Sequence, residues 1–88
     1  MGFLNATKYK EHDGSVTLSL AEMDLVVNEA DEEKAKLSLA EDIKEYANDF
    51  YNEYLVWSSA PNRKSHIPYV SKALDLDAEE IAKRIIVQ

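Results

Sequence analysis

DEEKAKLSLAEDIKEYANDFYNEY, residues 31–54, is the stretch that decides how this chain folds. Leu39, Ile43, Tyr46, Ala47, Phe50, Tyr51 and Tyr54 recur at steps of three and four with no Gly or Pro between them, the pattern of one amphipathic helix. Asp31 is placed to cap it, because its carboxylate can accept from the open amides of the first turn. Glu32 and Glu33 then sit where the positive end of the helix dipole favours acids. The helix is predicted over 31–55; from Asp31 to Tyr54 it extends about 36 Å at ~1.5 Å per residue, enough to cover a small sheet and project past it.

Residues 1–28 supply that sheet. Ala6 to Lys10 is extended and leads to His12-Asp13-Gly14-Ser15, where Asp-Gly signals a two-residue hairpin. Val16, Leu18 and Leu20 then alternate with Thr17 and Ser19, giving a strand with one core face and one wet face. The run from Asp24 to Asn28 is short, apolar and β-branched at Val26 and Val27, which predicts a third strand.

Downstream, Pro61 ends the long helix, and the predicted helical pair spans 62–87. Asn62 or Ser65 can cap its first member, with Pro68 in the opening turn and Ile67, Tyr69, Val70, Ala73 and Leu74 as its apolar face. Asp77 with Glu80 three residues on has the form of a capping box for a last helix through Ile86, in which Ile81, Ile85 and Ile86 pack inward. The expected architecture is α+β: a three-stranded antiparallel sheet packed by one long helix and followed by two short C-terminal helices. A chain of 88 residues forms a single domain and buries roughly 60 to 65% of its unfolded surface, one modest core.

Charge is distributed unevenly. The chain carries 17 acids against 10 Lys and Arg, a formal net charge of −7, yet Tyr54 to Leu74 contains no acid at all. Glu22 to Glu53 holds eleven acids against Lys34, Lys36 and Lys44. Such an acidic surface repels phosphate backbones and favours a basic protein partner. Without cysteine there is no disulfide framework and no thiol chemistry, which fits a reducing compartment. The start, Met1-Gly2-Phe3-Leu4-Asn5-Ala6, lacks a basic opening and a long apolar run, and no segment approaches the ~18 apolar residues that span a bilayer. The chain reads as a soluble cytoplasmic protein.

Catalysis and cofactor binding find little support in the residues. Glu41, Glu45 and Asp49 stack at helical spacing, but a metal site within a bundle adds Glu-x-x-His on inward faces, and that motif is missing. His12 and His66 stand far apart, with no ligand partner at a zinc spacing, and read as surface or capping residues. With only Gly2 and Gly14 no glycine-rich phosphate cradle can form, and no catalytic serine motif is present. We therefore expect no enzyme, no cofactor and no metal.

Interaction residues are better represented. Tyr46, Phe50, Tyr51, Tyr54, Trp57 and Tyr69 bracket the acid-free block. Tyr54, Trp57 and Arg63 are residue types that dominate interface hot spots, with Lys64 beside them. Glu41, Glu45 and Asp49 complete the expected partner-binding set. A competing reading takes Val70 to Ile85 as a helix-turn-helix that meets DNA through Lys72, Lys83 and Arg84, although its second helix opens on Asp77, Glu79 and Glu80. Self-association of the domain is a further alternative.

The stretch from Gly14 to about Tyr54 resembles the small HicB-like antitoxins of bacterial toxin–antitoxin systems. In that family a hairpin leads through an Asp-Leu strand into a helix beginning Gly-x-Thr-x-Glu-Glu-Ala. Here Asp24-Leu25 is followed by Glu29-Ala30-Asp31-Glu32-Glu33-Lys34-Ala35, so Asp31 takes the capping place and Glu33 and Ala35 match, while Glu29 replaces the glycine and Lys34 the second glutamate. The segment from Trp57 to Val70 is similar to a block in other small antitoxin-like proteins. The resemblance implies a protein that neutralises a basic ribonuclease-type toxin, with repression through a DNA-binding element as a second role.

Overall fold

Four strands and three helices make up residues 4–53 and 66–88, the part of the chain that the computed structural model describes. In order they are β1 (Leu4–Lys10), β2 (Val16–Leu20), β3 (Leu25–Glu29), α1 (Glu32–Asn52), α2 (Ile67–Leu74), α3 (Ala78–Lys83) and β4 (Ile85–Val87). The sheet order is β3-β2-β1-β4. Neighbours β1/β2 and β2/β3 are antiparallel, whereas β4 runs parallel to β1 and sets Leu4 beside Ile85 and Ala6 beside Val87.

The sheet is thus four-stranded and mixed rather than three-stranded and antiparallel. The expected last helix through Ile86 stops at Lys83, because Ile85-Ile86-Val87 is a β-branched run whose backbone finds partners on the free edge of β1. The hairpin differs too. Glu11 N–H donates to Ser15 O and Gly14 N–H to Glu11 O, which leaves a three-residue turn with Gly14 in the left-handed region at φ 89°. Asp13 shapes it by accepting from both the amide and the hydroxyl of Ser15, at 2.9 and 2.6 Å, and these bonds hold its carboxyl below the ordinary aspartate range.

Alternation along the strands divides the sheet into two unlike faces. Leu4, Ala6, Val16, Leu18, Leu20, Val27 and Ile85 form the inner face, against which α1 lays Ala35, Leu39, Ala40, Ile43, Ala47 and Phe50. The outer row holds Asn5, Thr7, Tyr9, Thr17, Ser19, Val26, Asn28 and Ile86, without one charged residue. α2 and α3 pack against α1 and close the core with Val70, Ala73 and Ile81. Tyr51, expected on the apolar face of α1, is instead 67% exposed.

Asp31 caps α1 as its sequence position predicts, accepting from Lys34 N–H at 2.8 Å. Replacing it by alanine leaves that amide unsatisfied and is expected to cost about 1 kcal/mol in a urea titration. At the same end, the Lys8 ammonium lies 2.9 Å from Glu32 and holds that carboxyl below the usual glutamate range. A carboxylate held low in the folded chain stabilises above its unfolded pKa. This contribution is therefore present at neutral pH and is lost as acid brings the pH below about 4.

Candidate protein-interaction surfaces

Along the solvent side of α1, Glu41, Glu45 and Asp49 are all exposed, one turn apart, and form a continuous acidic stripe. Asp42 widens it. With Leu25 and Tyr46, Asp42, Glu45 and Asp49 line a shallow cleft of about 220 Å³ between the helix and the start of β3. The nearest cation in sequence, Lys44, does not neutralise the stripe. Its ammonium turns to the other side and donates to the carbonyls of Ala73 and Leu74 at 3.2 and 3.0 Å, satisfying the C-terminal end of α2.

The floor of this region is held by an aromatic cluster that ties three elements together. Tyr46 and Phe50 meet edge to face with centroids 5.9 Å apart, and Tyr46 meets His66 in the same way at 5.7 Å. The Tyr46 hydroxyl lies 2.6 Å from His66 Nδ1, and His66 Nε2 lies 3.7 Å from an Asp24 carboxylate oxygen. His66 is not the surface residue the sequence suggests. It is 3% exposed and begins α2 without a side-chain capping bond, its ring instead joining α1 to the β2–β3 turn, where Asp24 adopts φ 55°.

A second concavity of about 460 Å³ lies between the first half of α1 and α3, floored by Leu37 and Ala82 and rimmed by Glu33, Lys34, Lys36, Glu79 and Lys83. Its rim mixes both signs. Of the expected DNA-contacting set, Lys72 is exposed in the last turn of α2. Lys83 is exposed and lies 3.7 Å from Glu80, and Arg84 follows α3 half-buried. α3 has only six residues, and Asp77 caps it by accepting from Glu80 N–H at 2.9 Å.

Tyr54, Trp57, Arg63 and Lys64 lie outside the described residues, as do Pro61, Asn62 and Ser65. Spacing found the acidic stripe but missed Leu25 and Tyr46. The signal for Asp42 was available, since 42, 45 and 49 fall on one helical face. Among the described residues no group of three or more His, Cys, Asp or Glu is placed to hold a metal ion, and no helix is long and apolar enough to cross a membrane.

This α+β domain carries an acidic stripe along one helix face and a sheet face whose strand residues are uncharged, and the proteins it is similar to are antitoxins. A family model described as Phd-like, antitoxin of toxin–antitoxin, RelE/RelB, TA system, matches residues 3–87. The chain belongs to this Phd-like antitoxin family. The antitoxin class agrees with the resemblance drawn from Gly14 to Tyr54, while the family matched is Phd-like rather than HicB-like. In structure the chain is similar to a crystal structure from Syntrophomonas wolfei subsp. wolfei described as the antitoxin part of a proposed toxin/antitoxin system, with a TM-score of 0.90 and 36% sequence identity. That alignment covers 97% of this chain and 62% of the other, so the chain spans under two thirds of its structural relative. Among curated proteins none matches the chain.

Proposed function

We propose that this domain acts without catalysis, in the cytoplasm, by binding and neutralising a small basic toxin of ribonuclease type. The observation that carries the reading is the acidic stripe of Glu41, Glu45 and Asp49, exposed beside the cleft at Leu25 and Tyr46, in a member of an antitoxin family. A ribonuclease must present cations to the phosphates of its RNA. A carboxylate stripe offers those cations a competing ligand and steers the encounter from a distance. Tyr54, Trp57, Arg63 and Lys64 join the same proposal as anchoring residues, on their residue types alone.

The test is a titration of a RelE-type toxin from the same source, read by RNA cleavage. The expected result is inhibition that saturates at a fixed stoichiometric ratio and survives nuclease treatment of both preparations. Undiminished cleavage at a large excess of the chain would remove the proposal. The DNA-binding alternative gains no comparable observation, since α3 presents Asp77, Glu79 and Glu80 where a recognition helix needs cations.

A further inference from the structure

We infer that His66 is a positioning residue that ties together the two walls of the cleft at Leu25 and Tyr46, and that it makes the cleft responsive to pH. The functional weight of this rests on the reading of the cleft as part of the docking surface. One wall belongs to β3, where Leu25 follows Asp24, and the other to α1, where Tyr46 lies among Asp42, Glu45 and Asp49. His66 reaches both. Its buried ring sets Nε2 at 3.7 Å from an Asp24 carboxylate oxygen and Nδ1 at 2.6 Å from the Tyr46 hydroxyl.

These two contacts decide the tautomer. An ionised carboxylate can only accept, so Asp24 selects the ring with its hydrogen on Nε2. Nδ1 is then an acceptor, and the Tyr46 hydroxyl is the donor. A second proton has to enter at Nδ1. That nitrogen then donates, the Tyr46 oxygen accepts, and the hydroxyl hydrogen turns out of the line to His66. Protonation thus keeps the link between the walls but reverses its polarity, and it sets a positive charge beside the carboxylates of the cleft. Among the described residues the titratable groups that face the ring are Asp24 from the β2–β3 turn and Tyr46 from α1. Asp42, Glu45 and Asp49 line the cleft with Tyr46, and Lys72 is exposed further along α2 itself. Exposed carboxylates keep their charge down to about pH 4, so between about pH 8 and 5 His66 is the member of this set whose charge changes. A basic partner then meets a cleft with one negative charge fewer in sum.

NMR of the free 88-residue chain between about pH 5 and 8 is the first test. The ring nitrogen shifts are expected to show hydrogen on Nε2 in the neutral ring, and the Leu25 methyl and Tyr46 ring signals to titrate with the midpoint of His66. Asp24→Asn removes the carboxylate and suits the left-handed backbone at this position, and is expected to move that midpoint down. His66→Asn keeps an acceptor for the Tyr46 hydroxyl and suits a helix start but cannot charge, so in the folded variant the pH response of Leu25 and Tyr46 is expected to vanish. Affinity for a RelE-type toxin from the same source is expected to fall roughly three- to ten-fold from about pH 7.5 to 5.5, and His66→Asn to lose that fall. Hydrogen on Nδ1 in the neutral ring would overturn the inference. So would Leu25 and Tyr46 signals that ignore the midpoint of His66, or a pH response of toxin affinity that survives unchanged in His66→Asn. A chain whose Leu25 and Tyr46 follow His66 but which binds no toxin at either pH would support the coupling and end the docking reading alone.

Discussion

Reversing Glu41, Glu45 and Asp49 together to lysine is expected to weaken toxin binding about a hundred-fold at low ionic strength. All three side chains are exposed, and lysine is as good a helix former as glutamate, so α1 keeps its cap, its core face and its packing against the sheet. What changes is the sign of the stripe. Opposite a basic partner, attraction at three positions becomes repulsion, and at roughly 1 kcal/mol per rim position the losses accumulate to a factor of this size. Because the positions are open to solvent, the effect should shrink steeply by about 1 M salt, where the screening length falls to ~3 Å. The neutral triple variant, E41Q with E45Q and D49N, should fall between. Isothermal titration at two salt concentrations checks all of this. A reversed stripe that binds as tightly as the original would mean the toxin docks elsewhere.

Phe50→Ala carries the largest expected loss of stability. Phe50 is 1% exposed, stands edge to face with Tyr46 and lies in the cluster that joins α1 to α2. Truncation removes its buried area and leaves a cavity that the neighbouring backbone cannot close, a loss of about 3–5 kcal/mol. Against a total of about 5–15 kcal/mol for a small domain, that leaves the chain close to unfolding at 37 °C. Tyr51→Ala, one residue on, is expected to change stability by under about 0.5 kcal/mol, because its ring is in solvent. Urea titrations of the two variants form a pair. Similar losses from both would show that α1 is rotated about its axis relative to the orientation described.

Local signals and distant ones account for what the sequence revealed. The start of α1, its Asp31 cap and the inward set Val16, Leu18 and Leu20 follow from rules that act within a few residues, and the structure keeps all three. β4 was hidden by the same kind of rule. Ile81 and Ile85 stand four apart as on a helix, and only the vacant edge of β1, some eighty positions away, makes Ile85 a strand residue. His66 was misjudged for the same reason, since the partners that bury it, Tyr46 and Asp24, are twenty or more positions away. The acidic stripe was legible because i, i+4 spacing alone creates it. Its cleft was not, because Leu25 comes from a different element.

Pairing Leu4 with Ile85 acts as a clasp between the earliest and the latest of the described residues. α1 packs on the sheet and α3 on α1, so the loop-closure entropy of bringing β4 to β1 is offset by the helices' packing as well as by the three residues of β4. The fourth strand of the sheet thus exists only as a contact between segments some eighty positions apart, added to a core that α1 already fills.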